Sequence, residues 1–169
     1  MSKPTTEQRK RAIAYHEAGH AAFAVYFEQL MGLQLIGVEI EMGRVDRTSV
    51  DSLEYLTRIA ENNEQCEAEI VFLLAGDVAE KIAGVCLIPK FEETCDYHQI
   101  SSIIAKPPLV PCVERDSLLE NLRTRTQTLL GESERWDGVE RLAIELINAT
   151  RVTGKRACEL LGPCWRRNP

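Results

Sequence analysis

The chain has 169 residues, 44% of them hydrophobic, and a formal net charge of −6, which predicts a single domain over residues 1–169 with a substantial core. The acidic balance argues against a nucleic-acid-binding protein, and no apolar run is long enough to cross a membrane. The polar residues 2–11 lack the pattern of a signal peptide, and the six cysteines include no C-x-x-C pair, which predicts reduced thiols and a cytoplasmic location.

The first predicted element is a long helix that begins after Thr5. Thr5 and Gln8 have the spacing of a capping box, in which each side chain bonds the backbone of the other residue. Apolar residues then recur at steps of three and four as far as residue 30, namely Ile13, Ala21, Ala24, Phe27 and Leu30. Small residues between positions 14 and 22 would let another helix approach closely.

This helix contains the most informative motif of the chain, His16-Glu17-Ala18-Gly19-His20. It fits H-E-x-x-H, in which two imidazoles one helical turn apart bind zinc and the glutamate serves as general base. Glu17 projects about 100° around the helix from His16, so it lies near the metal without binding it. The alternative is an alanine-rich core helix with ordinary polar residues. That alternative is costly, because burying two histidines and a glutamate without partners is unfavourable.

The rest of the chain predicts one strand region followed by helices. Residues 33–50 have a strand-like alternation, in which Val38, Ile40 and Met42 are separated by polar residues or glycine. Predicted helices follow over residues 52–62, 64–82 with Gly84 as C-terminal cap, Thr94 to a position before Pro107, 112–130, 134–148 and 153–161. Residues 85–93 are expected to be irregular. The predicted fold class is therefore mainly α with a small β-sheet (α+β).

A catalytic zinc site needs a third protein ligand besides His16 and His20. The metzincin extension would place a glycine at position 23 and a histidine at position 26, where this chain has Phe23 and Tyr26, so that subclass is excluded. The remaining candidates are Glu67, Glu69, Glu80, Asp96 and His98. The three glutamates are expected to be solvated helix charges. Asp96 and His98 are two residues apart, so on a helix their side chains would point in different directions and would not bind one metal together.

Residues 15–20, Tyr-His-Glu-Ala-Gly-His, resemble the zinc-binding helix of the FtsH family of ATP-dependent metalloproteases. Residues 73–80 resemble a later Leu-Leu-Ala-Gly-Arg-Ala-Ala-Glu segment of that family, and the last third of the chain is similar to its closing helices. The family has a Gly-Ala-x-Asn-Asp-Leu helix start whose aspartate is the third zinc ligand, and the resemblance places Asp96 at that position. The chain departs from the family pattern in three ways: the lead-in to Asp96 is absent, Asp77 replaces the usual arginine, and no Walker-type loop is present.

The resemblance implies a helical zincin-like peptidase domain in which His16, His20 and Asp96 hold Zn²⁺. Glu17 would then activate water for the hydrolysis of peptide bonds. The expected substrate is a polypeptide, cleaved without an ATPase module of the chain's own. The expected partner is a separate ATPase or a second copy of the chain in a homo-oligomer, with no nucleic acid and no membrane involved.

Several parts of the expected mechanism stay open. Tyr15, Tyr97 and His98 are candidates for the group that stabilises the oxyanion, and the edge of the strand near residues 38–42 could pair with an extended substrate. Two other functions also stay open: a zinc-stabilised adaptor module without catalysis, and a zinc hydrolase of non-peptide amides. Glu17 weighs against the adaptor, because a structural zinc site needs no base and is usually closed by four protein ligands.

Overall fold

The computed structural model describes residues 4–41, 44–47, 62–86, 94–105 and 115–166, with the backbone alone for residues 44–47. The helices are α1 (Thr6–Tyr26), α2 (Glu28–Met31), α3 (Asn63–Ile82), α4 (Cys95–Ile104), α5 (Arg115–Gly131), α6 (Ser133–Ala149), α7 (Gly154–Leu161) and a final short 3-10 helix (Pro163–Trp165). The strands are β1 (Leu35–Glu39), β2 (Arg44–Arg47) and β3 (Arg151–Thr153). The prediction of a mainly helical fold with a small sheet is confirmed.

Some sequence predictions fall on residues outside the described ranges. These are residues 52–61 of the helix predicted over residues 52–62, the strand positions Met42 and 48–50, the irregular residues 87–93, the end of the fourth predicted helix at Pro107, and the helix start at residues 112–114.

Helix α1 begins as its sequence predicts. The Gln8 backbone N–H donates to Thr5 Oγ1 at 3.2 Å, and the Thr5 N–H donates to Gln8 Oε1 at 2.8 Å, so both halves of the capping box are formed. The helical stretch is not continuous to residue 30, because α1 ends at Tyr26 and the single turn of α2 follows. Gly32 ends that turn with a φ of 62°, a left-handed conformation that glycine adopts without strain.

The sheet has the order β2–β1–β3, and both pairings are antiparallel. Val38 of β1 is opposite Val45 on one side and Val152 on the other, and it is buried while Ile36 faces solvent. The predicted strand region is thus a hairpin of two strands. Strand β3 was not predicted, since three residues between two helices carry no periodic pattern and are extended only because they pair with β1.

The most extensive contact of α1 is with α3, and small residues make it close. A Cβ atom added to Gly19 of α1 would lie 2.5 Å from the backbone oxygen of Ala75 and 2.8 Å from the Cβ of Ala79, both on α3. The two helices therefore touch almost backbone to backbone at this level. This is the close approach that the small residues of α1 predict.

Helices α5 and α6 complete the core around this pair. Helix α6, predicted over residues 134–148, packs against α1 and buries Val139, Leu142, Ala143 and Leu146. Helix α5 packs against α3, where the buried Asp77 accepts hydrogen bonds from Arg123 Nη1 at 2.8 Å and from Lys81 Nζ at 2.7 Å. Asp77 stands where the resembling family has an arginine, and it is thus paired with a cation from the neighbouring helix.

Of the helices in the described ranges, none combines the length and apolarity required to span a membrane.

Candidate metal centre

Three predicted ligands from two distant helices come together at one point. His16 and His20 lie one turn apart on α1, and Asp96 lies in the first turn of α4. The two Nε2 atoms are 2.9 Å apart, and Asp96 Oδ2 is 3.1 Å from His16 Nε2 and 3.5 Å from His20 Nε2. Among the residues described, these three form the one cluster of histidine, cysteine and acidic side chains that is tight enough to hold a metal ion.

The spacing of the three atoms fits zinc. Ligand atoms bound to zinc at 2.0–2.1 Å with tetrahedral angles are roughly 3.3 Å apart. The observed separations of 2.9, 3.1 and 3.5 Å lie around this value. Two imidazoles and one carboxylate are also ligand types that zinc prefers, and three of them leave a fourth position for water or substrate, as catalytic sites require.

Hydrogen bonds on the far side of each ring fix the orientation of both imidazoles. His20 Nδ1 donates to the backbone oxygen of Phe72 at 2.7 Å, and His16 Nδ1 donates to Glu80 Oε1 at 2.7 Å. A carbonyl oxygen only accepts, so Nδ1 of His20 carries the proton and Nε2 presents its lone pair to the cluster. A carboxylate behind the other imidazole has the same orienting effect and also makes the ring a stronger ligand.

Helix α4 is positioned by its own cap and by the core. Thr94 is the N-cap, since the Tyr97 N–H donates to Thr94 Oγ1 at 3.2 Å, and Ile100 anchors the helix by being fully buried. Asp96 therefore lies at the N-terminus, where the helix dipole favours a negative charge. The Asp96 side chain keeps 16% of its surface exposed and that of His16 keeps 18%, so the cluster is open to solvent on one side.

The carboxylates set the charge state of the cluster. Burial would lower the pKa of His16, but hydrogen bonds to Asp96 and Glu80 outweigh it and raise this pKa to about 10. Burial would likewise raise the pKa of Asp96, but its close contacts with His16 and His20 hold the pKa below its usual range. Binding of a divalent cation requires the imidazole in its neutral form, so it would release a proton.

Glu17 lies beside the cluster and is not one of its ligands. It is 4% exposed, and its charge interacts with those of His20, His16, Asp96 and Glu80. Burial raises its pKa, although the two histidines act in the opposite direction. A carboxylate with a raised pKa is a better proton acceptor near neutral pH than an ordinary one.

The other ligand candidates lie outside the cluster of three. Glu67 is half-exposed and 3.9 Å from Arg125, as expected for a solvated helix charge. That expectation is wrong for Glu69 and Glu80, which are both 6% exposed. The contact of Glu80 with His16 was not predicted, and the only signal for it in the sequence is that Glu80 lies four residues after Gly76, on the same face of α3.

The oxyanion candidates differ in their surroundings. Tyr15 is 5% exposed and its ring stacks on Trp136 at 5.9 Å between centroids, which favours a role in the core. Tyr97 is half-buried and His98 is exposed, and both follow Asp96 on α4.

We expect the Glu80→Gln substitution to lower the zinc affinity by roughly 10–100-fold, the usual effect of losing a partner behind a metal-bound histidine. The amide still accepts a hydrogen bond from His16 Nδ1 but lacks the negative charge that strengthens the ring as a ligand. Competition with a chromophoric chelator measures the affinity. Glu67→Gln on the same helix is the control and should bind zinc like the parent chain. Equal affinities in the two variants would show that the Glu80 carboxylate does not support the ligand.

A helix with the H-E-x-x-H motif, together with a carboxylate brought to the same point, defines the class of zinc metallopeptidases. The comparison with protein families agrees: residues 3–86 match the model of Peptidase family M41. The chain is thereby confirmed over these residues as an FtsH-type peptidase segment, and M41 metallopeptidases are zinc-dependent hydrolases. The match includes α1 and α3 but ends before Asp96. The comparison with curated proteins gave no match.

Proposed function

We propose that the chain is a zinc-dependent endopeptidase in which His16, His20 and Asp96 hold the ion and Glu17 is the general base. The observation that carries this proposal is the convergence of the three ligand atoms within 4.8 Å of one another, with Glu17 buried beside them. The family match to residues 3–86 supports the reaction class. The convergence supports Asp96 as the third ligand by a separate route, because this residue lies beyond the matched segment.

The residues of the chain have distinct tasks in this reaction. A bound zinc ion supplies Lewis-acid chemistry, which acidifies water and polarises a carbonyl group. The Glu17 carboxylate takes one proton from the attacking water as the water oxygen bonds to the carbonyl carbon. It then passes this proton to the nitrogen of the leaving amine as the C–N bond breaks. The contacts of His16 with Glu80 and of His20 with Phe72 keep the two Nε2 atoms aimed at one point.

The predicted substrate edge near residues 38–42 is wrong for residues 38 and 39, because β1 is the central strand and these residues pair with both β2 and β3. We place the polypeptide substrate instead along the sheet edge formed by β2. In the described part of the chain β2 pairs only with β1, and both strands contact α1. An extended segment could therefore add to the sheet by backbone hydrogen bonds close to the helix that carries the motif. A separate ATPase remains a proposed partner, because unfolding of a stable substrate requires work that no residue of this cluster supplies. A second copy of the chain in a homo-oligomer is the other proposed partner.

We expect the zinc-loaded chain to cleave casein, an unfolded substrate that requires no ATPase, and a chelator to abolish this cleavage. Zinc added back after the chelator should restore it, since the ion is required for the reaction and not for a later step. The measurement is the release of peptides over time, with a small amide substrate run in parallel. A zinc-loaded chain that cleaves neither substrate would support the adaptor module. Cleavage of the small amide alone would support the hydrolase of non-peptide amides.

A further inference from the structure

The imidazole of His16 rests on α3 directly over Gly76. A Cβ atom added at this position would lie 2.6 Å from Cε1 and Nε2 of the ring and 2.7 Å from Nδ1, closer than real Cβ contacts. Gly76 lies inside a helix, where glycine is less favourable than alanine, and it is not one of the glycines with positive φ. Its backbone conformation therefore does not require glycine. Glycine is required because the His16 ring occupies the space in which the side chain of any other residue would begin.

Two residues of α3 hold this ring from different directions. Gly76 and Glu80 are four residues apart, so they lie on the same face of the helix. The backbone at Gly76 supports the face of the imidazole, and Glu80 Oε1 holds its edge through Nδ1 at 2.7 Å. With face and edge both fixed, Nε2 points to His20 Nε2 and Asp96 Oδ2.

We propose that Gly76 is a positioning residue of the metal centre, whose missing side chain allows the His16 ring to lie where its Nε2 can bind the ion. A methyl group at position 76 pushes the ring off α3, which breaks the hydrogen bond to Glu80, moves Nε2 away from the other two ligand atoms, or does both. The inference rests on the proposed metal centre and not on peptidase activity.

Gly19 provides the contrast that isolates this role. A Cβ atom at Gly19 meets the backbone oxygen of Ala75 and the Cβ of Ala79, and none of its closest contacts is an imidazole atom. An alanine at position 19 thus strains the packing of α1 on α3 whatever residue stands at position 16. An alanine at position 76 strains the packing of α1 on α3 only when residue 16 is a histidine.

The first test is thermal unfolding of chelator-treated protein in two backgrounds. In the parent chain, both Gly76→Ala and Gly19→Ala should lower the midpoint. In the His16→Ala background, Gly76→Ala should instead raise the midpoint by about 2–4 °C, because the clash is gone and alanine favours the helix. Gly19→Ala should still lower it there. If Gly76→Ala alone does not fold, recovery of folding in Gly76→Ala/His16→Ala supports the proposal, and failure of the double variant to fold overturns it.

The second test is zinc affinity, measured by competition with a chromophoric chelator and by the absorption bands of Co²⁺ substituted for zinc. Gly76→Ala should lose roughly 10–100-fold in affinity and change the Co²⁺ spectrum, as expected when a ligand is displaced. Gly131→Ala is the control, since a Cβ atom there would meet nothing within 4 Å. Unchanged affinity in Gly76→Ala, or an equal midpoint shift with and without His16, would overturn the inference. A parent chain that binds no zinc would instead refute the proposed function, and the midpoints would still test the contact.

Discussion

Replacing Glu17 with Gln is expected to lower the rate of peptide hydrolysis by roughly 10²–10⁴-fold while zinc stays bound. Glutamine has nearly the same shape as glutamate but cannot take a proton from water. The side chain is buried, and burial already opposes its charge, so a neutral amide at this position should leave the fold intact. The ligand atoms of His16, His20 and Asp96 are untouched by the change.

The measurement is the rate of casein cleavage by purified, zinc-loaded variants, together with the zinc content of each. Glu7→Gln is the matched control, because Glu7 lies in the first turn of the same helix and is exposed. It should retain both activity and zinc. Full turnover in the Glu17→Gln chain would remove Glu17 as the base, and loss of zinc together with activity would make its role structural.

Local signals in the sequence predicted the half of the candidate site that lies on α1. The capping box of Thr5 and Gln8 depends on residues three apart, and the shared face of His16 and His20 depends on residues four apart. Such features are set by helix geometry alone, so they can be read before any tertiary contact is known. The small residues of α1 predicted that another helix approaches closely, but not which atoms would meet.

Contacts between distant parts of the chain could not be read in the same way. The sequence predicts Glu80 to be a solvated charge because no residue near it in sequence offers a partner. It is buried because α1 brings an imidazole against it from 64 residues away in sequence. Asp96 was placed by resemblance and not by spacing, since nothing local links it to His16. Trp165 is a core residue that no periodic pattern in the sequence predicts. It is fully buried, and its Nε1 donates to the backbone oxygen of Arg135.

The same reasoning makes Asp96 the most informative residue to change, because it is the only proposed ligand that lies outside α1. Asp96→Ala removes one of three ligand atoms and leaves two imidazoles that cannot complete a tetrahedral site alone. We expect the zinc affinity to fall by more than the roughly 10–100-fold typical of losing a residue behind a ligand. His20→Ala should have an equal effect for the same reason.

The measurement is zinc per chain after dialysis against a weak chelator, with two controls that resemble the target. Asp116→Ala removes an exposed aspartate from the first turn of α5, the same helical position that Asp96 has in α4. His98→Ala removes an exposed imidazole two residues from Asp96 on the same helix. Both should keep one zinc ion per chain, since neither side chain belongs to the cluster of three. Zinc retained by Asp96→Ala but lost from His98→Ala would transfer the third ligand to the imidazole. Zinc retained by both Asp96→Ala and His98→Ala would mean that neither residue is the third ligand, and the proposed centre would be wrong.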